Sequence, residues 1–284
     1  MALIPRTVPQ VDDPQAAAVL AGRWSRVRRL LSIAALVVPG LLAVVCLVFF
    51  VLSGLRWWAA MSAVVAVGIA GALAWWLRRA VLEPPGWTGA VGLCVGCQLL
   101  LGCIPGYGAA ANAASTLARA SAGVLFAVCW VAAGVAVLVA HRAQRALMVP
   151  VVADLGATPF VVALSVRFAI TTPDLVSARV TVGRDGVEWG ARLHRGRGSG
   201  PRVAGGVPFG RLREVRPVVL SGHPELRPWM TMPDGTQLYA QPGPAVVLVA
   251  DSGEWMIPVH DAALVAQLVH KRVTWASRHT QARR

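Results

Sequence analysis

The stretch whose residue types are best suited to grip a ligand is Arg195–Arg202, RGRGSGPR, with Arg192 and His194 just before it. Glycine frees backbone N–H groups to point at an anion, and guanidinium forks pair with phosphate or carboxylate oxygens. Arg192, Arg195, Arg197 and Arg202 are therefore the candidate anion- or lipid-binding residues. The segment lies between two predicted strands, so it is also expected as a solvated hairpin loop. It lacks the Gly-Lys-Ser/Thr ending of a nucleotide-binding phosphate loop.

Other chemistry is thin. The six histidines (141, 194, 223, 260, 270, 279) show no metal-ligand spacing, and no Gly-x-Ser-x-Gly elbow is present. Cys94-x-x-Cys97 has the spacing of a redox or metal pair, but it falls in an apolar run with no third ligand beside it. Small packing residues account for it better. Gly92-x-x-x-Gly96 overlaps it and suits close helix–helix approach. No catalytic residue, metal or cofactor is expected, and the chain reads as non-enzymatic.

The elements that carry these residues divide the chain in two. Of its 284 residues 56% are hydrophobic and 14% charged, against about 25% charged in soluble domains. Four uncharged apolar runs reach spanning length, Leu30–Leu52, Trp57–Leu77, Trp87–Ile104 and Ala122–Ala140. A bilayer core about 30 Å thick needs roughly 20 helical residues. The first run is too long for a signal peptide and follows a long leader. Pro39-Gly40 in its middle is expected to kink or thin that helix. Trp57-Trp58 and Trp75-Trp76 bracket the second run, as indoles at the two interfaces do. No ionisable group lies within the spans, and Gln98 is the most polar residue at depth. A proton or ion pathway is therefore not expected.

The net charge of +14 divides into +3 over residues 1–29, +5 over 30–150 and +6 over 151–284. More than half lies at or near the membrane, where the positive-inside rule explains it without nucleic acid. Alternate sides of the four spans carry nine and two arginines, which places both termini in the cytoplasm of a multi-pass plasma-membrane protein. The third loop, Pro105–Ser121, is then external and without a fold of its own.

After Met148 the apolar runs shorten and Gly, Pro and Asp punctuate them, the pattern of strands and turns. Strands are predicted at Val161–Ile170, Ser177–Val182, Val187–Leu193, Val207–Leu220 (broken), Gln237–Ala240, Ala245–Ala250 and Glu254–Val259. Arg184-Asp185-Gly186 and Asp251-Ser252-Gly253 are turn signals. Asp261 can cap a terminal amphipathic helix carrying Leu264, Leu268 and Trp275. The domain plan is a basic tail (1–29), a four-helix membrane domain (30–140), a linker (141–160), a β-rich domain (161–279) and a short tail (280–284).

The segments VTVGRDGVEW, VPFGRLREVRPVVL and AVVLVADSGEWMIPVHDAALVAQLVHKR resemble bacterial PH-like domains. They are most similar to the copies at the C-terminus of multi-pass actinobacterial membrane proteins. The resemblance covers about Arg179–Val273. Val207, Phe209, Leu212 and Val215 match its strand and Ile257–Asp261 its strand-to-helix junction, while Ser221–Thr236 is an insertion. It implies a small, bent sheet closed by a helix and carries no catalytic motif or ligand. The expected protein is a membrane helix bundle with a cytoplasmic PH-like domain that binds or regulates. Its expected partners are the bilayer, anionic headgroups, a protein or a second copy. A basic membrane protein assisting conjugative DNA spread and a translocating bundle are the alternatives; nucleic acid is not the favoured partner.

Overall fold

The computed structural model describes residues 3–112, 115–170, 175–195, 198–221 and 228–281. They form two compact units, one of residues 1–8 and 21–149, the other of residues 9–20 and 150–284.

The first unit is helical. Its four helices are long and apolar enough to cross a membrane: Pro14–Leu52, Trp57–Ala80, Pro84–Ala111 and Thr116–Met148. The outward surface is apolar, with Leu41, Val44, Val64, Leu93, Leu100, Val128 and Val131 more than half exposed. That surface suits acyl chains and would be a liability in water. Each helix outruns its apolar core. The first begins at Pro14, well inside the expected basic tail, because arginines propagate a helix as well as leucines do. Trp24 there is buried, and its indole N–H donates to the Pro5 carbonyl at 3.1 Å.

The kink expected at Pro39-Gly40 takes a different form. A π-helical turn at Ile33–Val37 stands immediately before Pro39. Proline lacks an N–H and its ring crowds the carbonyl four residues back. A residue's worth of slack in the preceding turn absorbs both defects while the helix continues. The third helix repeats the device, with a π turn at Gln98–Cys103 before Pro105.

The third loop is shorter than the sequence suggests, because the third helix continues to Ala111 and the fourth starts at Thr116. Aromatic contacts hold the extension. Tyr107 stacks on Phe126 with centroids 4.5 Å apart and meets Phe49 edge-on at 6.4 Å. Close packing falls on Gly102 and Gly106. A Cβ on Gly102 would stand 3.0 Å from Ala66 Cβ, and one on Gly106 3.1 Å from the Phe49 ring. Gly92 has only Val137 at 3.7 Å, and Gly96 faces open space. The close-approach glycines are thus the next pair along the same helix.

The second unit is β-rich and ends in a helix. Its strands are β1 (Val162–Ser165), β2 (Phe168–Ile170), β3 (Leu175–Val182), β4 (Gly186–Arg195), β5 (Gly198–Pro208), β6 (Leu212–Leu220), β7 (Pro228–Thr231), β8 (Gln237–Ala240), β9 (Gly243–Ala250) and β10 (Gly253–Pro258). They form three antiparallel sheets in the orders β1-β3-β4-β5, β10-β9-β6 and β2-β8-β7. The single strand expected over Val161–Ile170 is divided between two sheets. Val166 bridges Val259 and the Arg167 N–H donates to the Pro258 carbonyl, so the chain changes sheet there. The expected break within Val207–Leu220 is a short 3-10 turn at Phe209–Arg211. Two strands lacked a strong sequence signal, the glycine-rich β5 and the four-residue β7.

The terminal helix, Ala262–Gln281, is capped by Asp261, whose carboxylate accepts from the Leu264 N–H at 2.9 Å. Val265, Leu268, Val269 and Trp275 are buried along it, and it packs on β6, β9 and the 3-10 turn Ala153–Ala157. Arg272 sits on that buried stripe and is fully enclosed. Its guanidinium donates to the carbonyls of Leu155 (2.9 Å), Gly156 (3.0 Å), Phe160 (2.6 Å) and Gly183. Burial pulls its pKa down to about 9, with the nearby charge of Arg184 adding to the effect. The group therefore remains a cation at neutral pH. Gly156 allows this approach, since a Cβ there would lie 2.2 Å from the Leu268 carbonyl oxygen.

Removing a buried, fully bonded charge leaves its partners unpaired and costs about 3 kcal/mol. Arg272→Met in the full chain is expected to lower the melting midpoint of the β-rich unit by roughly 10 °C. Arg272→Lys should recover only part of the loss, because an ammonium presents three donors rather than a five-donor fork. Gly156→Ala should be damaging and Gly210→Ala, which meets nothing, should be neutral. Thermal denaturation followed by tryptophan fluorescence reads all four.

Candidate functional site

Within the helical unit, three polar features could signal chemistry, and each is accounted for by packing. Gln98 is fully buried. Its amide nitrogen donates to the Pro39 carbonyl at 3.0 Å and the Ala66 carbonyl at 2.9 Å, so one side chain ties the first, second and third helices. Cys94 lies near the Ile69 carbonyl at 3.8 Å while Cys97 is partly exposed. Cys46 and Cys103 touch at 3.6 Å between their sulfurs, both enclosed. Among the described residues no group of three or more ligating side chains can hold a metal ion. The interface tryptophans separate by exposure: Trp57 and Trp75 are outward, Trp58 and Trp76 partly covered, and Arg79 lies over the Trp75 ring at 4.2 Å.

The basic cluster of the β-rich unit is a sheet face. Along β4, Val187, Trp189, Ala191 and Leu193 are buried, and Arg192 between them is exposed. Period-two alternation puts Glu188, Gly190, Arg192 and His194 on the outer face. The register places Ser177, Arg192 and Arg202 in one row across β3, β4 and β5, and Arg179, Gly190 and Ala204 in the next. Three arginines thus occupy neighbouring positions. Gly190 makes room for them, as a Cβ there would stand 3.0 Å from Arg202 Nε. Gly205, on the inner face, similarly makes room for the Trp189 indole, 2.8 Å from where its Cβ would be.

Arg179, Arg192 and Arg202 are exposed and form no ion pair among the described residues. The β6-β9-β10 sheet is different. There Arg213 pairs with Asp251 at 2.6 Å and Arg216 with Glu254 at 3.1 Å. At the margin of the basic face, Ser177 Oγ and His194 Nε2 share a hydrogen bond of 2.9 Å. Beneath it, a largely apolar cavity of about 300 Å³ is lined by Leu193, Gly200, Pro201, Met232, Pro233 and Asp234.

Of the four arginines singled out from sequence, Arg192 and Arg202 are brought together. Arg195 is described in its backbone alone, paired with Gly198, and Arg197 lies outside the described residues. Arg179 was missed. Its signal was the alternation of β3, which puts it on the face of Ser177, but a motif scan confined to one segment does not see it.

A second hollow, of about 420 Å³, lies among Asp12, Asp13, His270, Lys271, Thr274 and Arg278. It carries both signs of charge, and its groups already pair: Lys271 with Asp154 at 2.5 Å, His279 nearby with Asp12 at 3.5 Å. The basic face, whose three arginines form no ion pair among the described residues, is therefore the stronger candidate. No protein-family model, curated protein or solved structure matches the chain.

The intramembrane features yield one test. Gln98→Leu frees two carbonyls in the bundle and is expected to cost about 1 kcal/mol, the usual scale for a polar contact between membrane helices. Unfolding of the full chain in mixed detergent micelles, followed by fluorescence, should show a lowered midpoint. An unchanged midpoint would remove Gln98 from its structural role.

Proposed function

We propose that this chain is a non-enzymatic membrane protein that presents a PH-like binding domain to the cytoplasm, and that the domain's basic sheet face holds anionic lipid headgroups. The observation that carries the reading is the set of arginines on the outer face of β3-β4-β5 that form no ion pair among the described residues, in contrast with the paired arginines of the β6-β9-β10 sheet.

The PH-like reading is supported by strand order. Apart from β2, β8 and the β7 that falls in the insertion Ser221–Thr236, a four-stranded antiparallel set, β1-β3-β4-β5, is followed by a three-stranded set, β6-β9-β10, and then by a helix. The likeness of the quoted segments to actinobacterial examples points the same way. The cytoplasmic orientation is supported by the nine-to-two arginine asymmetry between alternate sides of the spans and by their even number, which keeps both ends on one side. The cytoplasmic leaflet is the anionic one, so a basic face there meets its complement.

Each arginine near such a surface contributes about 1 kcal/mol. The full chain in phosphatidylcholine nanodiscs should co-float with phosphatidylglycerol vesicles and not with phosphatidylcholine vesicles. Arg192→Gln with Arg202→Gln should weaken that association roughly thirtyfold. Equal flotation with both vesicle types, or an undiminished double variant, would defeat the headgroup reading.

A further inference from the structure

The four-stranded sheet ends at β5, and among the described residues β4 is the element that packs along that strand. An edge of this length is a template for another chain unless something blunts it. The usual devices are lysines, an inward charge, a bulge that twists the strand away, or a proline turned to the open side.

The backbone directions can be assigned. The carbonyl of Val203 approaches Gly190 and that of Val207 approaches Gly186, at 2.7 Å and 2.6 Å from where their Cβ atoms would be. Both therefore point at β4. In an antiparallel strand a residue's N–H and C=O share a side, and the side alternates. Arg202, Ala204 and Gly206 thus direct theirs to the open edge. Pro201 falls in the alternation that faces β4, where the ladder is irregular between Arg192 and His194. It leaves the edge beside it unblocked, while Pro208, in the alternation that faces the open side, closes the edge beyond Gly206, so the open stretch runs from Arg202 to Gly206. Arg202 is the strand's single charged residue. Of its outer-face neighbours Ala204 is small and leaves room for the side chains of an added strand, while the Glu188 side chain lies over Gly206, its Cγ 3.4 Å from where a Cβ would be.

We propose that the open edge of β5 takes up an extended acidic segment of a partner protein as a fifth strand. The main chain bonds to Arg202, Ala204 and Gly206, and the incoming carboxylates meet Arg202 and Arg192 on the outer face. Charge decides the occupant. Residues 151–284 carry a net +6, so a second copy would bring like charge and its own arginines to the seam, where an acidic strand brings the complement. The proposal shares arginines with the headgroup reading but rests on the edge backbone, which that reading does not use.

The test uses the full chain in phosphatidylcholine nanodiscs and a fluorescent peptide alternating glutamate and valine. Saturable binding is expected, weakened roughly tenfold by Ala204→Pro, which deletes an edge N–H without touching the ladder to β4. Arg192→Gln with Arg202→Gln should weaken binding and flatten its salt dependence. A peptide with lysine in place of glutamate should not bind. If Ala204→Pro fails to fold, the same glutamate peptide N-methylated on alternate amides decides the matter, and it should lose binding to the unaltered protein. No saturation by about 1 mM peptide, or equal binding of the N-methylated form, would overturn the proposal. So would a dimer that Ala204→Pro dissolves, since the occupant would then be a second copy. Vesicle flotation that survives Ala204→Pro while peptide binding is lost separates this site from the headgroup face.

Discussion

A polar group taken out of water must find its partner within the chain, and two side chains carry much of that requirement here. In the β-rich unit it is Arg272, enclosed and bonded to four carbonyls of the linker, of the approach to β1 and of the β3–β4 turn. In the helical unit it is Gln98, bonded to carbonyls of two neighbouring helices. A lone buried charge costs several kcal/mol, and an unpaired amide in hydrocarbon costs less but still more than a methyl group. Both sites are thereby specific. Arg272 selects one docking of the terminal helix, because a shift of a single helical turn strands the guanidinium. Gln98 selects one register of three helices that lipid alone would leave free to slide.

The two prolines inside membrane helices, away from their first turns, belong to the same accounting. Pro39 and Pro105 each remove a donor from a helix that has no water to substitute for it. Each is preceded by a π turn, and the Pro39 carbonyl is one of the two that Gln98 satisfies. The polar side chain of Gln98 thus acts as a packing group between three helices.

How much of this was legible depended on whether the signal was local. The spans were plain from hydropathy because a bilayer demands a long uncharged run. Their ends were not, since Arg23 and Arg26 continue a helix beyond the lipid as readily as a loop would carry them, and the contacts that favour the helix, such as Trp24 with Pro5, are tertiary. The segment after Pro105 reads as a flexible loop from its glycines and alanines; stacking of Tyr107 on Phe126 overrides that preference. Gly92 and Gly96 had the right spacing on the right helix, but which glycine pair meets a neighbour is set by helix rotation, which composition does not encode. Arg272 looked like one more basic residue on an amphipathic helix. Its position on the apolar stripe with Leu268 and Trp275 was the clue, and its acceptors are all distant in sequence.

The same limit explains why the glycine-rich segment looked like a loop. Glycine weakens a strand on its own account, so RGRGSGPR and the following Val-Ala-Gly-Gly read as an interruption. In the folded sheet two glycines answer a neighbour: Gly205 of β5 clears the Trp189 indole, and Gly190 of β4 clears the Arg202 side chain. The residues that depress strand propensity are those that let a large ring sit inside and a guanidinium lie flat outside. They also leave the outer surface of β5 low and its edge open. Arg179, Arg192 and Arg202 form no ion pair among the described residues. Glycine thus serves both faces of one sheet, admitting an indole within and a guanidinium outside, at positions where a Cβ would clash with either.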